Sequence, residues 1–377
     1  MDTPTLRVTE PREMLSLVPY QLGFHPTESV VAVSLRPPRG RVGLAVRVDL
    51  TDLAEPTHGP QLARDVAALL DGDGAERVVL VVYTHDDPRQ GPDSVVADAV
   101  EHFREAAEAP FGDVPVWAVT STGYLSLDCD DACCPPGGRP LSDLASTQVS
   151  AQMVLAGSTV AGCREDIARI RSAGAESRRS VARVRRRWQA RGLLAHDEGA
   201  AAAERWRADS VAAWRRAVDE QLDRPGGPAA AALGRLEAGL ADARVRDAVL
   251  VALVPGQGDL PERCVRGERP SREDDAALGR ALGLVVDPLD GVPAPPAATR
   301  VHEAVLESVV AHGEHGRQAA ALTLLAMLAW WRGDGARAAI LLQRVLEDDG
   351  GYRLALLLAE ALSAAVPPGW VVAARQA

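Results

Sequence analysis

Six consecutive residues, Val78-Val79-Leu80-Val81-Val82-Tyr83, constrain this chain more than any other feature. The run is apolar throughout and rich in β-branched side chains, with none of the polar alternation of a strand wetted on one side. It therefore reads as a strand buried on both faces. Covering both faces needs helices on either side of a sheet, so the N-terminal third is expected to be α/β.

The flanking segments supply the rest of that sheet. Thr9-Glu10-Pro11 opens a short helix running to about Val18, with Thr9 as cap and Pro11 in the first turn. Val30–Leu35 is a second β-branched run, broken by Pro37-Pro38-Arg39-Gly40, and Val42–Val48 resumes as a strand. So short a connection makes these two antiparallel. Gln61–Leu70 has helical spacing (Leu62, Val66, Leu69, Leu70) and stops at Asp71-Gly72-Asp73-Gly74. Ser94–Ala107 reads as a helix, Val114–Thr120 as a strand, and Tyr124–Leu127 as a short last strand. Strand and helix alternate from Val42 to Thr120, so those three strands are expected to be parallel through right-handed crossovers. The sheet would then be mixed and mostly parallel, with one antiparallel hairpin strand.

In such sheets ligands bind beyond the carboxyl ends of the strands. Those ends carry Asp49-Leu50-Thr51, Thr84-His85-Asp86-Asp87 and Ser121-Thr122-Gly123. The antiparallel first strand enters from the same edge through Gly23-Phe24-His25-Pro26-Thr27-Glu28-Ser29. Four polar loops should converge on one rim. There His25 and Glu28 are candidates for an acid/base or ligand-clamping pair that titrates near neutral pH. The alternative is that Pro26 stiffens the strand entry while Thr27 or Ser29 bonds loop amides. Candidate ligand contacts are His25, Thr27, Glu28, Ser29, Asp49, His85 and Asp86.

Composition excludes several chemistries. All 41 basic residues are Arg; the chain has neither Lys nor Asn. No lysine is present for a Schiff base, a Walker A loop or a kinase strand, and no asparagine for N-glycosylation. With 52 acidic residues the net charge is -11. Ten arginines between Arg164 and Arg191 face only Glu165, Asp166 and Glu176. Val181, Val184 and Trp188 fall at helical spacing among them, so the arginines read as the wet face of an amphipathic helix. An acidic, aromatic-poor chain is not expected to be a dedicated nucleic-acid binder. The longest apolar stretch, Ala319–Trp331, is shorter than the roughly 20 residues a bilayer requires. Met1–Thr9 lacks a basic stretch followed by an apolar run. A cytoplasmic protein with reduced thiols is expected, and no membrane partner.

Cys129 and Cys133 lie four apart with Cys134 following, a spacing that lets two or three thiolates reach one Zn²⁺ if His25 or His85 completes the set. The same thiols also suit a redox-sensitive vicinal pair, or ordinary small buried residues. Asp86-Asp87 and Asp128-Cys129-Asp130-Asp131 are carboxylate clusters that suit either Mg²⁺ or solvated turns.

Beyond Leu141 the pattern is almost wholly helical. Helices are expected over about Glu198–Leu222, Ala229–Arg244 and Val245–Val254, with a break at Pro225-Gly226-Gly227-Pro228 and a Pro-rich linker over Val286–Ala298. In Arg300–Ala365, the positions Leu322, Leu325, Ala326, Ala329, Gly333, Asp334, Ala338, Leu342 and Val345 follow the spacing of a tetratricopeptide-like helical hairpin. Such a hairpin either caps the middle helices or forms a groove for a partner protein.

Three segments carry a family resemblance. Leu17-Val18-Pro19-Tyr20-Gln21-Leu22-Gly23-Phe24-His25-Pro26-Thr27-Glu28-Ser29-Val30-Val31 resembles the opening signature of an actinobacterial family of uncharacterised proteins, domain-of-unknown-function family 4192. Arg47-Val48-Asp49-Leu50 resembles the end of that family's second strand. Cys129-Asp130-Asp131-Ala132-Cys133-Cys134-Pro135-Pro136-Gly137-Gly138-Arg139-Pro140 is similar to its cysteine-and-proline segment. The resemblance implies organisation and host range, and no catalytic residue.

The expected organisation is an α/β domain over 1–140, a helical region over 141–290 and a repeat-like hairpin region over 299–366. Two functions are open: an α/β domain binding a small polar ligand at the rim near His25, or a non-catalytic adaptor binding a partner protein through its helical half.

Overall fold

The computed structural model describes residues 10–376 apart from 39, 86, 87, 90–93, 130, 132, 133, 224–226 and 268–270. The chain divides into two compact units, Met1–Ile167 and Ala168–Ala377.

In the first unit α1 (Pro11–Leu22) leads to the hairpin β1 (Ser29–Arg36) and β2 (Arg41–Asp49). Then come α2 (Leu50–Ala54), α3 (Gly59–Gly72), β3 (Arg77–Tyr83), α4 (Val95–Phe111), β4 (Val116–Val119), β5 (Tyr124–Ser126), α5 (Ser142–Ala145) and α6 (Gln148–Leu155). The sheet order is β2-β1-β3-β4-β5. β1 is antiparallel to both β2 and β3, β3 and β4 are parallel, and β4 and β5 are antiparallel. Thus β2, β3 and β4 do run in one direction. The expectation of a mostly parallel sheet is nonetheless corrected, because β1 is hydrogen-bonded between β2 and β3. The chain leaves β2, passes through α2 and α3, and lays β3 on the far side of β1. One paired set is therefore parallel and three are antiparallel.

Both faces of the central strands are covered, as the unbroken apolar run at Val78–Tyr83 requires. Val30, Ala32, Val78, Leu80 and Val82 pack with Leu53, Val66, Leu70 and Phe103 of α2, α3 and α4. Val31, Val33, Val79 and Val81 are buried on the opposite face. There α1, which buries Leu15 and Val18, packs against β2, α5 and α6. The Ser16 and Thr147 hydroxyls meet at 2.8 Å, fastening α1 to the residue that caps α6. The α/β unit therefore runs on past residue 140.

The second unit is all α: α7 (Ala175–Glu198), α8 (Ala200–Asp223), α9 (Ala230–Gly239), α10 (Ala243–Ala252), α11 (Leu260–Arg263), α12 (Arg272–Val286), α13 (Pro296–His312), α14 (Ala319–Trp331), α15 (Gly335–Asp348), α16 (Arg353–Ser363) and α17 (Gly369–Gln376). The long apolar stretch becomes α14, whose Leu322, Leu325 and Trp331 are fully buried. Its core joins Leu236 of α9 and Leu306 of α13 with Leu341 of α15. Helices on both sides of the Pro-rich 286–298 segment thus share one core. No described helix is long and apolar enough to cross a membrane.

Two helical expectations need correction. The helix expected over Ala229–Arg244 ends at Gly239, because the Asp242 carboxylate accepts from Arg244 N (2.9 Å) and Val245 N (3.3 Å) and starts α10. Nor are all the arginines of α7 on its wet face. Arg185 is buried with Val181 and Trp188, 3.6 Å from the Glu237 carboxylate and also paired with Glu314. Burial pushes the Glu237 carboxyl up, against the lowering influences of the Glu314 amide and Arg185.

Candidate functional site

Helix α1 ends at Gly23, whose left-handed φ of 78° turns the chain across the end of the sheet. Phe24 is buried and bridges to Ala161. That bridge consists of two bonds that pin the crossing loop: His25 N donates to Ala161 O at 3.1 Å, and Ala161 N donates to Gly23 O at 2.8 Å. Glu28 then takes a φ of 41°, unusual for a residue with a Cβ. This conformation sends its groups to two neighbouring strand ends. Its carboxylate accepts from His85 N at 2.8 Å, and its carbonyl accepts from Leu50 N at 3.1 Å. The Ser121 hydroxyl donates to His85 O at 2.9 Å. The loops at 23–29, 49–51, 84–85 and 121–123 therefore meet at one rim, as the direction of the strands requires.

Beneath this rim lies a row of polar groups in an otherwise apolar sheet face. Ser29 is paired with Asp49 on one side and Tyr83 on the other. Directly opposed residues share a face, so these three side chains, with Arg47 one step further in, lie on the α1 side. Ser29 is fully buried and Tyr83 is 6% exposed. Neither hydroxyl has a hydrogen-bond partner, nor has Arg47 Nε, which is buried as well. Arg47 uses Nη2 to hold the half-exposed Asp49 carboxylate at 2.6 Å. Burial alone raises the Tyr83 phenol, so it remains a neutral donor and acceptor. The charge of Arg47 also reaches Glu165, whose carboxyl is lowered mainly by its own backbone amide and by the Cys163 thiol. Leaving a buried polar group unpaired costs about 1–3 kcal/mol, so three such groups clustered on one face, two in the row and one a step further in, are unusual unless something else meets them.

Of the residues singled out from sequence, His25, Thr27, Glu28 and His85 are exposed at the rim, Asp49 is half-buried beside them, and Ser29 is buried below. Asp86 lies outside the described residues, as do Cys133 and Asp130 of the cysteine segment. Cys134 is buried against Ala118 and Leu125 with Cys129 packed alongside. Among the described residues no group of three or more His, Cys, Asp or Glu stands ready to hold a metal ion. Tyr83 and the inward role of Arg47 were missed. The signal was in the alternation: Arg47 and Asp49 are two apart on one strand, and pairing Ser29 with Asp49 fixes which face they share.

A family model described as Domain of unknown function (DUF4192) matches residues 11–369. No curated protein and no solved structure matches the chain.

Proposed function

The chain belongs to domain-of-unknown-function family 4192, and on that premise we propose that its α/β unit binds a small polar ligand at the rim beside His25. One observation carries the reading: Ser29 Oγ, Tyr83 Oη and Arg47 Nε are buried without partners in adjacent positions on one face, at the end where four loops meet. A ligand entering there would exchange water for two hydroxyls and a guanidinium N–H. His25, Thr27, Glu28, Asp49 and His85 would line its approach, and the left-handed Glu28 is the kind of outlier found at binding sites.

A thermal-shift screen of metals, nucleotides and common metabolites tests this. A ligand at about 100 times its Kd adds about 2.7 kcal/mol to the folded state. The stabilisation should vanish in Tyr83→Phe and in His25→Ala, while the unliganded variants melt no lower than the parent. A compound that stabilises parent and Tyr83→Phe equally would overturn the assignment.

An adaptor role for the helical half is the second reading, favoured by Leu356 (45% exposed) and Leu357 (54% exposed) side by side on α16. In that reading α14 and α15 form a tetratricopeptide-like hairpin that recruits a protein. A cytoplasmic location with reduced thiols belongs to the same reading, in keeping with the buried Cys134 and Cys264, and the three N-terminal motifs agree with an actinobacterial host. Zinc at Cys129, Cys133 and Cys134 is a further proposal, decided by elemental analysis.

A further inference from the structure

The helical unit contains a cavity of about 290 Å³ between α8, α13 and the loop that follows α10. Trp214 and His302 stand side by side in its wall, ring centroids 5.4 Å apart and 43° between planes. Val218, Ala252 and Val254, with Pro255 and Pro261, supply the rest of the apolar wall. His302 Nδ1 is buried and has no partner, and burial keeps the ring uncharged at neutral pH. Among the described residues that line the mouth, the guanidinium is that of Arg215, and it is already committed. Arg215 Nη2 donates to Glu262 Oε2 at 2.8 Å and to Gly258 O at 3.0 Å, and Nε is paired with the same carboxylate. Asp219, one turn further along α8, adds a carboxylate at the opening.

We propose that this cavity binds a small, uncharged, flat heterocycle rich in N–H donors, the class of the free aminopurines and aminopyrimidines. Four observations converge on that class. The volume sits at the lower end of ligand pockets and holds one or two fused rings. The half-buried His302 ring, backed by the 2%-exposed Trp214, offers an aromatic wall to a flat partner. A neutral imidazole and the Asp219 carboxylate offer acceptors to ligand N–H groups. Arg215 balances Glu262 and leaves Asp219 as the net charge, so a phosphate is repelled where an amine is welcomed. The inference is independent of the rim, since none of its residues belongs to the first unit.

Calorimetric titration of the full chain with adenine, cytosine and adenosine monophosphate tests it. Adenine or cytosine should bind, with the monophosphate at least about tenfold weaker, a difference of about 1.4 kcal/mol. His302→Phe should weaken adenine by about tenfold or more while the melting temperature holds or rises, because an unpaired buried nitrogen is removed. The exposed Asp219→Asn should narrow the gap between base and nucleotide without disturbing the fold. No binding of either base at millimolar concentration, unaltered binding in His302→Phe, or a monophosphate that binds as tightly as adenine would each overturn the proposal.

Discussion

Burial holds the His302 imidazole down at about 4, whereas an unfolded histidine titrates near 6.5. Between those values the unfolded chain takes up a proton that the folded chain does not. Stability should therefore fall as the pH drops below about 6.5, with the whole loss reached near 4, and the full effect is about 3 kcal/mol. Urea melts across that window should show a steeper decline in the parent than in His302→Phe; parallel curves would mean the ring is protonated inside the fold. Gly138 gives a second residue-level test. At φ 81° a Cβ there would lie 2.8 Å from Tyr124 N and 2.9 Å from Tyr124 O, both backbone atoms that cannot step aside. Gly138→Ala should cost about 2 kcal/mol or more in chemical denaturation. At this scale the sequence announced the rim better than what lies below it. His25, Glu28 and His85 are polar letters in loops and are easily noticed. Tyr83 reads as the last apolar residue of a strand, and its unpaired hydroxyl emerges only from what surrounds it.

Elements were legible where periodicity was strong and obscure where a single cap decides. Val78–Tyr83, Val30–Leu35 and the helix capped by Ser94 fall close to their expected positions. The division of Ala229–Arg244 was not visible, because apolar spacing continues through Leu240 while one carboxylate resets the helix. Asp242→Ala should remove both capping bonds and release Arg207, whose Nε donates to the same carboxylate at 2.8 Å. A loss of about 2 kcal/mol is expected, read from the midpoint of guanidinium unfolding. Little change would mean that packing alone sets the start of α10. The position of β1 was equally hidden: a hairpin states which strand lies on one side of it and is silent about the other.

Each compact unit has its own core. Every residue of the largest cluster, from Ala168 to Leu358, lies beyond Ile167, and the sheet cluster lies wholly before it. A fragment spanning 168–377 is therefore expected to remain helical and to melt in one cooperative transition, measurable by circular dichroism; a sloping, non-cooperative melt would show that its core depends on the first unit. The α/β-then-helical division was plain in the sequence because the apolar period changes from strand-like to helical. The boundary itself was not, since α5 and α6 look like the start of the helical half and yet pack on α1.

The place of β1 between β2 and β3 also sets an order of events during synthesis. A nascent chain that has emerged only as far as residue 49 can close the hairpin, yet it leaves the other side of β1, from Ser29 to Leu35, without its backbone partners until Arg77–Tyr83 leaves the ribosome. Translation paused in that interval would present a sticky, valine-rich edge. The polar row at the rim comes into being only when that wait ends.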